Sequence, residues 1–220
     1  MERSLNCIIC CQKTHLIKDD KYSDIYYKCP RCEAIFLQRD HILDKKMEKT
    51  EYDRHENTMD NNGYVNSFRE LIDKYIIEFT GDLKGKKILD FGCGPNPVLS
   101  EILKKYEADV VHYDPYFFKD ISFKSEQFDI VVSTEVFEHL SNPYNELKLI
   151  KDLLKKDSFL IIKTQFHNMK DDDFLTWWYR RDPTHIIFYT SKTFEYMAKK
   201  TGFVIMFSDN EEIIVLKKEF

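Results

Sequence analysis

Apolar residues recur along this chain in two rhythms, and the alternation between them predicts its architecture. Short aliphatic or β-branched runs stand at 88–91, 110–114, 129–133 and 159–163, with a last pair at 203–207 and 213–216. Between these runs the apolar positions fall three and four residues apart. Tyr64, Phe68, Leu71, Ile72, Tyr75, Ile76 and Phe79 precede the first run; Val98, Ile102 and Leu103 follow it; Leu147, Ile150, Leu153 and Leu154 lie between the third and fourth. Ser191 and Gly202 bracket one more helix, Ser191 as its N-cap. Runs of the first kind read as buried parallel strands, and spacing of the second kind as amphipathic helices. The order predicts an α/β fold: a Rossmann-like, doubly wound, mainly parallel sheet closing on a hairpin with an antiparallel last strand. Only 13 residues separate Asp114 from Phe128, too few for a full helix and strand, so one edge of the sheet is expected to be trimmed.

The N-terminal third lacks this alternation. Cys7-x-x-Cys10 and Cys29-x-x-Cys32 lie 18 residues apart, a spacing that reads as a four-thiolate zinc ribbon, with Pro30 shaping the second knuckle. A segment of about 40 residues buries too little apolar surface to fold alone, so Zn2+ would supply its folding energy. Strands are expected at 22–27 and 34–37. Cys11 is a neighbour that could replace Cys10, and His15 and His41 read as surface residues. Residues 40–62 are polar and without period, a connector in which Tyr52, His55 and Asn57 gather hydrogen-bonding groups. The division is therefore a ribbon-like module (1–40), a polar connector with a capping helix (41–80), and an α/β domain (81–220).

The first buried run, Lys87-Ile-Leu-Asp-Phe, opens into Gly92-Cys-Gly94-Pro-Asn96-Pro97. Glycines at a strand-to-helix turn let backbone approach a ligand, and the helix that follows directs free N–H groups at the same place. The dinucleotide fingerprint fails, because Pro97 stands at its third glycine. Asp114 closes the next strand, 20 residues after Gly94, where a carboxylate can hold ribose hydroxyls. Cys93 reads as a small packing residue.

The pattern Asp90-x-Gly92-x-Gly94-x-Asn96 resembles motif I of class I S-adenosylmethionine (SAM)-dependent methyltransferases, with Asn96 in place of the last glycine. Phe128-Asp-Ile-Val-Val-Ser-Thr-Glu-Val-Phe-Glu-His-Leu140 is similar to that family's fourth strand and active-site edge. The resemblance implies SAM as cofactor, held by Asp90, Gly92, Cys93, Gly94, Asp114, Pro115, Tyr116, Thr134 and Glu135, with Tyr116 or Phe117 against the adenine. It places His139, His167 and His185 at the open mouth of the sheet as candidate catalytic bases. His185 sits in the block Trp177-Trp-Tyr-Arg-Arg-Asp-Pro-Thr-His185, in which Arg180 or Arg181 could hold an anionic group. No Asn/Asp-Pro-Pro-Tyr/Phe signature ends the fourth strand, which disfavours methylation of exocyclic amines.

Charge narrows the acceptor. The net charge of −5 and pI near 5.8 provide no bulk field for nucleic acid. No apolar run exceeds five residues, and the N-terminus has no signal-peptide core, so a cytoplasmic protein without a membrane span is expected. The reading is a SAM-dependent methyltransferase acting at O, N or C of a small polar or anionic acceptor. The alternatives are an RNA methyltransferase that reads RNA with its ribbon, and a non-enzymatic SAM-binding regulator.

Overall fold

Two sheets share the molecule in the computed structural model, which describes residues 5–54, 57–167 and 170–219. The chain begins with β1 (His15–Asp19), β2 (Asp24–Lys28) and β3 (Ile35–Leu37). Helices α1 (Lys45–Tyr52) and α2 (Asn62–Leu71) follow; α2 runs through a π-helical stretch, Ile72–Ile77, into α3 (Glu78–Thr80). The α/β order is then β4 (Lys87–Phe91), α4 (Val98–Lys105), β5 (Asp109–Tyr113), β6 (Phe128–Thr134), α5 (Pro143–Leu153) and β7 (Leu154–Lys163). It closes with α6 (Asp171–Thr176), β8 (Ile187–Phe188), α7 (Ser191–Thr201), β9 (Val204–Ser208) and β10 (Ile213–Lys217).

The larger sheet has the order β5-β4-β6-β7-β10-β9. β4 pairs in parallel with β5 and β6, and β6 with β7, while β10 runs antiparallel to both β7 and β9. This is the doubly wound, mainly parallel sheet with an antiparallel last strand that the sequence predicts. The trimmed edge is also present: between β5 and β6 the chain makes a single 3-10 turn at Ser122–Ser125. Both faces are covered, so successive residues of one strand bury on opposite sides. Ile88, Ile130, Val132 and Ile161 meet α2 and α4 on one face; Leu89, Val131, Leu160 and Ile162 meet α5 and α7 on the other.

Several boundaries differ from the expected ones. α5 stops at Leu153, and β7 starts at once with Leu154, paired to Phe128, well before the expected residue 159. The exposed Lys155-Lys156-Asp157 has no apolar alternation, which is why this extension is invisible in the sequence. The N-cap of α7 is Thr190, not Ser191, because Thr190 and Thr193 exchange side chain to backbone bonds in a capping box.

The ribbon is not separate from the catalytic fold. The smaller sheet has the order β1-β2-β3-β8, so its fourth strand comes from near the end of the chain, with Ile35 opposite Phe188 and Phe36 opposite Ile187. Its rings join the same core: Tyr26 meets Phe174 edge-on at 5.1 Å, and Phe174 meets Phe188 at 5.0 Å. Arg180 is buried beneath them and ion-pairs with Asp19. Removing residues 1–40 would therefore strip β8 of its partner and expose Ile187 and Phe188 (1% and 0% exposed). We expect residues 41–220 alone to lose near-UV circular dichroism and cooperative melting; a truncated protein that melts in one sharp transition would show that the catalytic fold stands without its ribbon.

Candidate active site

All loops that matter for chemistry leave the C-terminal ends of β4, β5, β6 and β7 and enclose one cavity of about 1420 Å³. The turn after β4 is forced into shape by its neighbours. Gly92 has φ +86°, and a Cβ there would overlap the Val136 side chain that follows β6. Gly94 has φ +67°, and a Cβ there would meet nothing within 4 Å, because it would point into open space at the cavity wall. That is the cradle a ligand needs.

Asp114, at the end of β5, locks this turn to the next one. Its Oδ2 accepts from the Gly94 amide (3.1 Å), and its Oδ1 from the amides of Tyr116 (2.8 Å) and Phe117 (3.1 Å). Asp90 lies under the turn, 1% exposed, and accepts from the Ser100 hydroxyl at 2.7 Å. Burial pushes its carboxyl up to about 6, against the smaller opposing pull of Ser100. The polar connector closes the cavity from above. Glu48 of α1 accepts from the hydroxyls of Tyr52 (2.7 Å) and Tyr116 (2.6 Å), so α1 is tied across the loop after β5. Tyr52 and Asn57 line the cavity; His55 lies outside the described residues. Glu48 gave no signal in the sequence, since it is one acid in a run of charges.

The opposite wall is a polar cluster. Glu135, in left-handed backbone at φ +52°, and Glu138 share the Tyr179 hydroxyl, which lies 2.9 Å from Glu135 Oε2 and 2.6 Å from Glu138 Oε1. Thr164 donates to Glu138 Oε2 at 2.8 Å. His139 bonds the Thr184 carbonyl through Nδ1 (3.0 Å) and His185 bonds the Tyr179 carbonyl through Nδ1 (2.7 Å). Their rings are 4.8 Å apart. Glu135 is open to the cavity as a residue, but its carboxyl end is turned in against Tyr179 and Glu138. That enclosure, followed by the charge of Glu138, pushes it up to about 8. Burial likewise raises Glu138 and lowers His139, which keeps that imidazole neutral.

Of the residues expected at the cofactor, Asp90, Gly92, Cys93, Gly94, Asp114, Pro115, Tyr116, Thr134 and Glu135 all line the cavity, as do His139 and His185. His167 does not. It is buried on the ribbon side, where Nε2–H donates to the carbonyl of Glu33 at 2.8 Å, and burial lowers it to about 4. The chain turns away from the cavity after Gln165 to reach Tyr189, so a histidine near the mouth in sequence becomes a strut beneath the second knuckle. Arg180 and Arg181 also miss the cavity: the first is spent on Asp19, and the second is exposed and donates to the Thr176 carbonyl.

The four thiols meet as the spacing required. Cys7 and Cys32 sulfurs are 3.5 Å apart, Cys10 and Cys29 3.3 Å, and all four lie within 4.8 Å of one another. Four sulfurs at about 2.3 Å from a tetrahedral ion would be about 3.8 Å apart, so the set fits a structural Zn2+. The knuckles match each other: Cys11 donates to the Cys7 carbonyl and Glu33 to the Cys29 carbonyl, each at 3.0 Å and each in left-handed backbone. The exposed Cys11 thus serves as the turn and Cys10 as the ligand.

A parallel sheet with a glycine turn, two acids at adjacent strand ends and a roofed cavity defines a nucleotide-cofactor enzyme of the doubly wound class. Residues 64–206 match a family model described as a methyltransferase domain, and the chain belongs to that family, whose cofactor is SAM. Among curated relatives, a ubiquinone biosynthesis O-methyltransferase of Glaesserella parasuis serovar 5 (strain SH0165) is 31% identical over 118 residues, covering 41% of this chain and 50% of the relative. A tRNA U34 carboxymethyltransferase of Pseudomonas fluorescens (strain SBW25) is 31% identical over 107 residues, 38% of this chain and 34% of the relative. The matches thus span half or less of the relatives' lengths. The fold is shared with a SAM-dependent methyltransferase of Archaeoglobus fulgidus, at TM-score 0.54 and 16% identity over 70% of this chain and 94% of that one. Among the described residues, no helix is long and apolar enough to cross a membrane.

Two predictions follow from these geometries. Metal analysis of the reduced protein should find one zinc per chain at the four cysteines, and Cys29→Ser should lower both zinc content and melting temperature; full zinc in that variant would discard the site. Asp90 carries a folded-state pKa above its ordinary 3.8, so the folded state binds more protons and stability falls as pH rises from about 4 to about 6. The cost is complete above that window, about 3 kcal/mol from the two-unit shift. Denaturant melts of Asp90→Asn should therefore exceed wild type at pH 8 and converge with it near pH 4, and a constant difference at both pH values would refute the assignment.

Proposed function

We propose that the protein transfers the methyl group of SAM to a hydroxyl oxygen of a small polar acceptor. The observation that carries this reading is the pairing of two unlike walls in one cavity. On one side stand Gly94, Asp114 and Tyr116, the geometry for an adenosyl group; on the other stand Glu135, His139, Tyr179 and His185, groups able to hold and deprotonate a hydroxyl. A cavity of about 1420 Å³ exceeds the roughly 300–1,000 Å³ of a single-ligand pocket, which leaves room for cofactor and acceptor together.

Bound SAM supplies an activated methyl on a sulfonium, and the displacement needs alignment more than chemistry from the protein. Asp114 holds the Gly94 and Tyr116 backbones that receive the cofactor, and Asp90 braces the turn through Ser100. Glu48, Tyr52 and Tyr116 are bonded to one another across one side of the site and hold α1 over it. The resemblance to an O-methyltransferase supports oxygen as the acceptor atom. A small acceptor is favoured over RNA because the net charge is −5 and α1 roofs the cavity. The ribbon, sharing β8 with the acceptor wall, holds that wall in place.

Calorimetric titration with S-adenosylhomocysteine (SAH) should give binding near micromolar for the wild type, and Asp114→Ala should weaken it at least about 100-fold. Transfer of labelled methyl from SAM to hydroxylated small molecules then tests turnover. Equal SAH affinity in Asp114→Ala would remove the pocket assignment. Tight SAH binding with no transfer to any small acceptor would favour the RNA or regulator reading.

A further inference from the structure

Helix α1 lies over the cavity although none of its residues is buried. Its place is set by polar and ring contacts to the loop after β5, and Glu48 supplies two of them. Its Oε1 accepts from the Tyr52 hydroxyl at 2.7 Å and its Oε2 from the Tyr116 hydroxyl at 2.6 Å. The Tyr52 and Tyr116 rings stand 5.4 Å apart, and Lys49 Nζ lies 4.9 Å from the centre of the Phe117 ring. Both tyrosine protons are directed at Glu48, while each carboxylate oxygen has a second lone pair. Glu48 lines the cavity, so this clamp can accept a hydrogen bond from a ligand there and has no proton to give one.

We propose that Glu48 reads the exocyclic amine of the cofactor's adenine, which makes α1 a selector for that base. Tyr116 sets the geometry. Its amide is 2.8 Å from Asp114 Oδ1, beside the turn that carries Gly94, and its hydroxyl is at Glu48. One tyrosine side chain thus separates the glycine cradle from the clamp, a reach comparable to that from a ribose to the amine of the base it carries. The acids of the cradle itself are committed elsewhere. Asp114 takes three backbone amides, and Asp90 lies 1% exposed beneath the turn. Glu48 has the acceptor capacity that an amine needs, and its bonds to two hydroxyls hold the carboxylate in one orientation.

The inference rests on the methyltransferase reading and adds to it what α1 recognises. A carboxylate whose hydroxyl neighbours have already given it their protons attracts a donor at C6 of the purine and repels a carbonyl there, so the same contact that favours adenine rejects an oxo base. A staple between α1 and the loop after β5 would use the same two tyrosine bonds. Breaking a staple weakens every adenosyl ligand alike, whereas breaking a direct contact ties the loss to the group at C6.

Calorimetric titration of the full-length, zinc-loaded protein separates the two. The ligands are SAH, its analogue with hydrogen in place of the 6-amino group, and its 2′-deoxy and 3′-deoxy analogues. Wild type should prefer SAH over the 6-hydrogen analogue by at least about 30-fold, since loss of the amine leaves a carboxylate unpaired. In Glu48→Ala that preference should fall below about threefold, and Glu48→Gln, whose amide carbonyl still accepts, should recover part of it. The penalties for the deoxyribose analogues should be unchanged in both variants. Wild type binding the 6-hydrogen analogue as tightly as SAH overturns the proposal, whether or not either variant folds. An alanine variant that keeps the wild-type preference also overturns it, as does one that erases a deoxyribose penalty instead, which would move Glu48 to the ribose. No SAH binding by wild type would remove the methyltransferase reading and this proposal with it, whereas tight SAH binding without the preference counts against Glu48 alone.

Discussion

Everything at the cavity depends on how closely the turn after β4 meets the turn after β6. Gly92 has no Cβ, and Val136 occupies the space a Cβ would need. This contact fixes the β4 side of the cavity relative to the β6 side, since Gly94 is two residues beyond one partner and Glu135 is next to the other. Both turns are held in left-handed backbone, at Gly92 and at Glu135, a conformation that a non-glycine residue keeps only when its surroundings dictate it. The Glu135 amide donating to Lys163 O (2.8 Å) supplies part of that restraint, tying the β6 turn to the end of β7.

The ribbon extends the same restraint to the segment that carries His185. β8 pairs with β3, and it begins two residues after His185; His167 anchors the Glu33 carbonyl from the catalytic side, and Thr193 donates to the Cys32 carbonyl at 2.8 Å. A metal-stapled module of this kind is rigid although small. Its position, bonded to α7 and adjoining the segment that carries His185, puts it behind the cavity wall, which none of its described residues lines.

Electrostatics set the cost of this design. Three carboxylates, Asp90, Glu135 and Glu138, sit in enclosures that raise their proton affinity, the largest cause in each being the loss of water. A fold optimised for stability alone would replace them with apolar groups. Asp90 and Glu135 line the cavity and Glu138 lies buried beside Glu135, the pattern expected where a site tunes proton affinity at a cost in stability.

Local patterns in the sequence determined the sheet, its trimmed edge, the glycine turn with its two acids, and the four-thiolate cluster. Each of these follows from short-range rules: strand and helix periods, glycine at tight turns, and thiolate pairs on knuckles. Tertiary structure decided the rest. Glu48 reaches the cavity only because α1 folds over the loop after β5, and a charged run gives no sign of which acid will find a tyrosine. Tyr179 stood in an aromatic block, yet its bond to two glutamates 41 and 44 positions away depends on long-range packing. His139, His167 and His185 are all candidate bases by sequence, and the structure separates them, two to the cavity and one to the ribbon. A side chain's role there is set by which strand end its backbone leaves and which neighbour it meets, and those are properties of the assembled sheets.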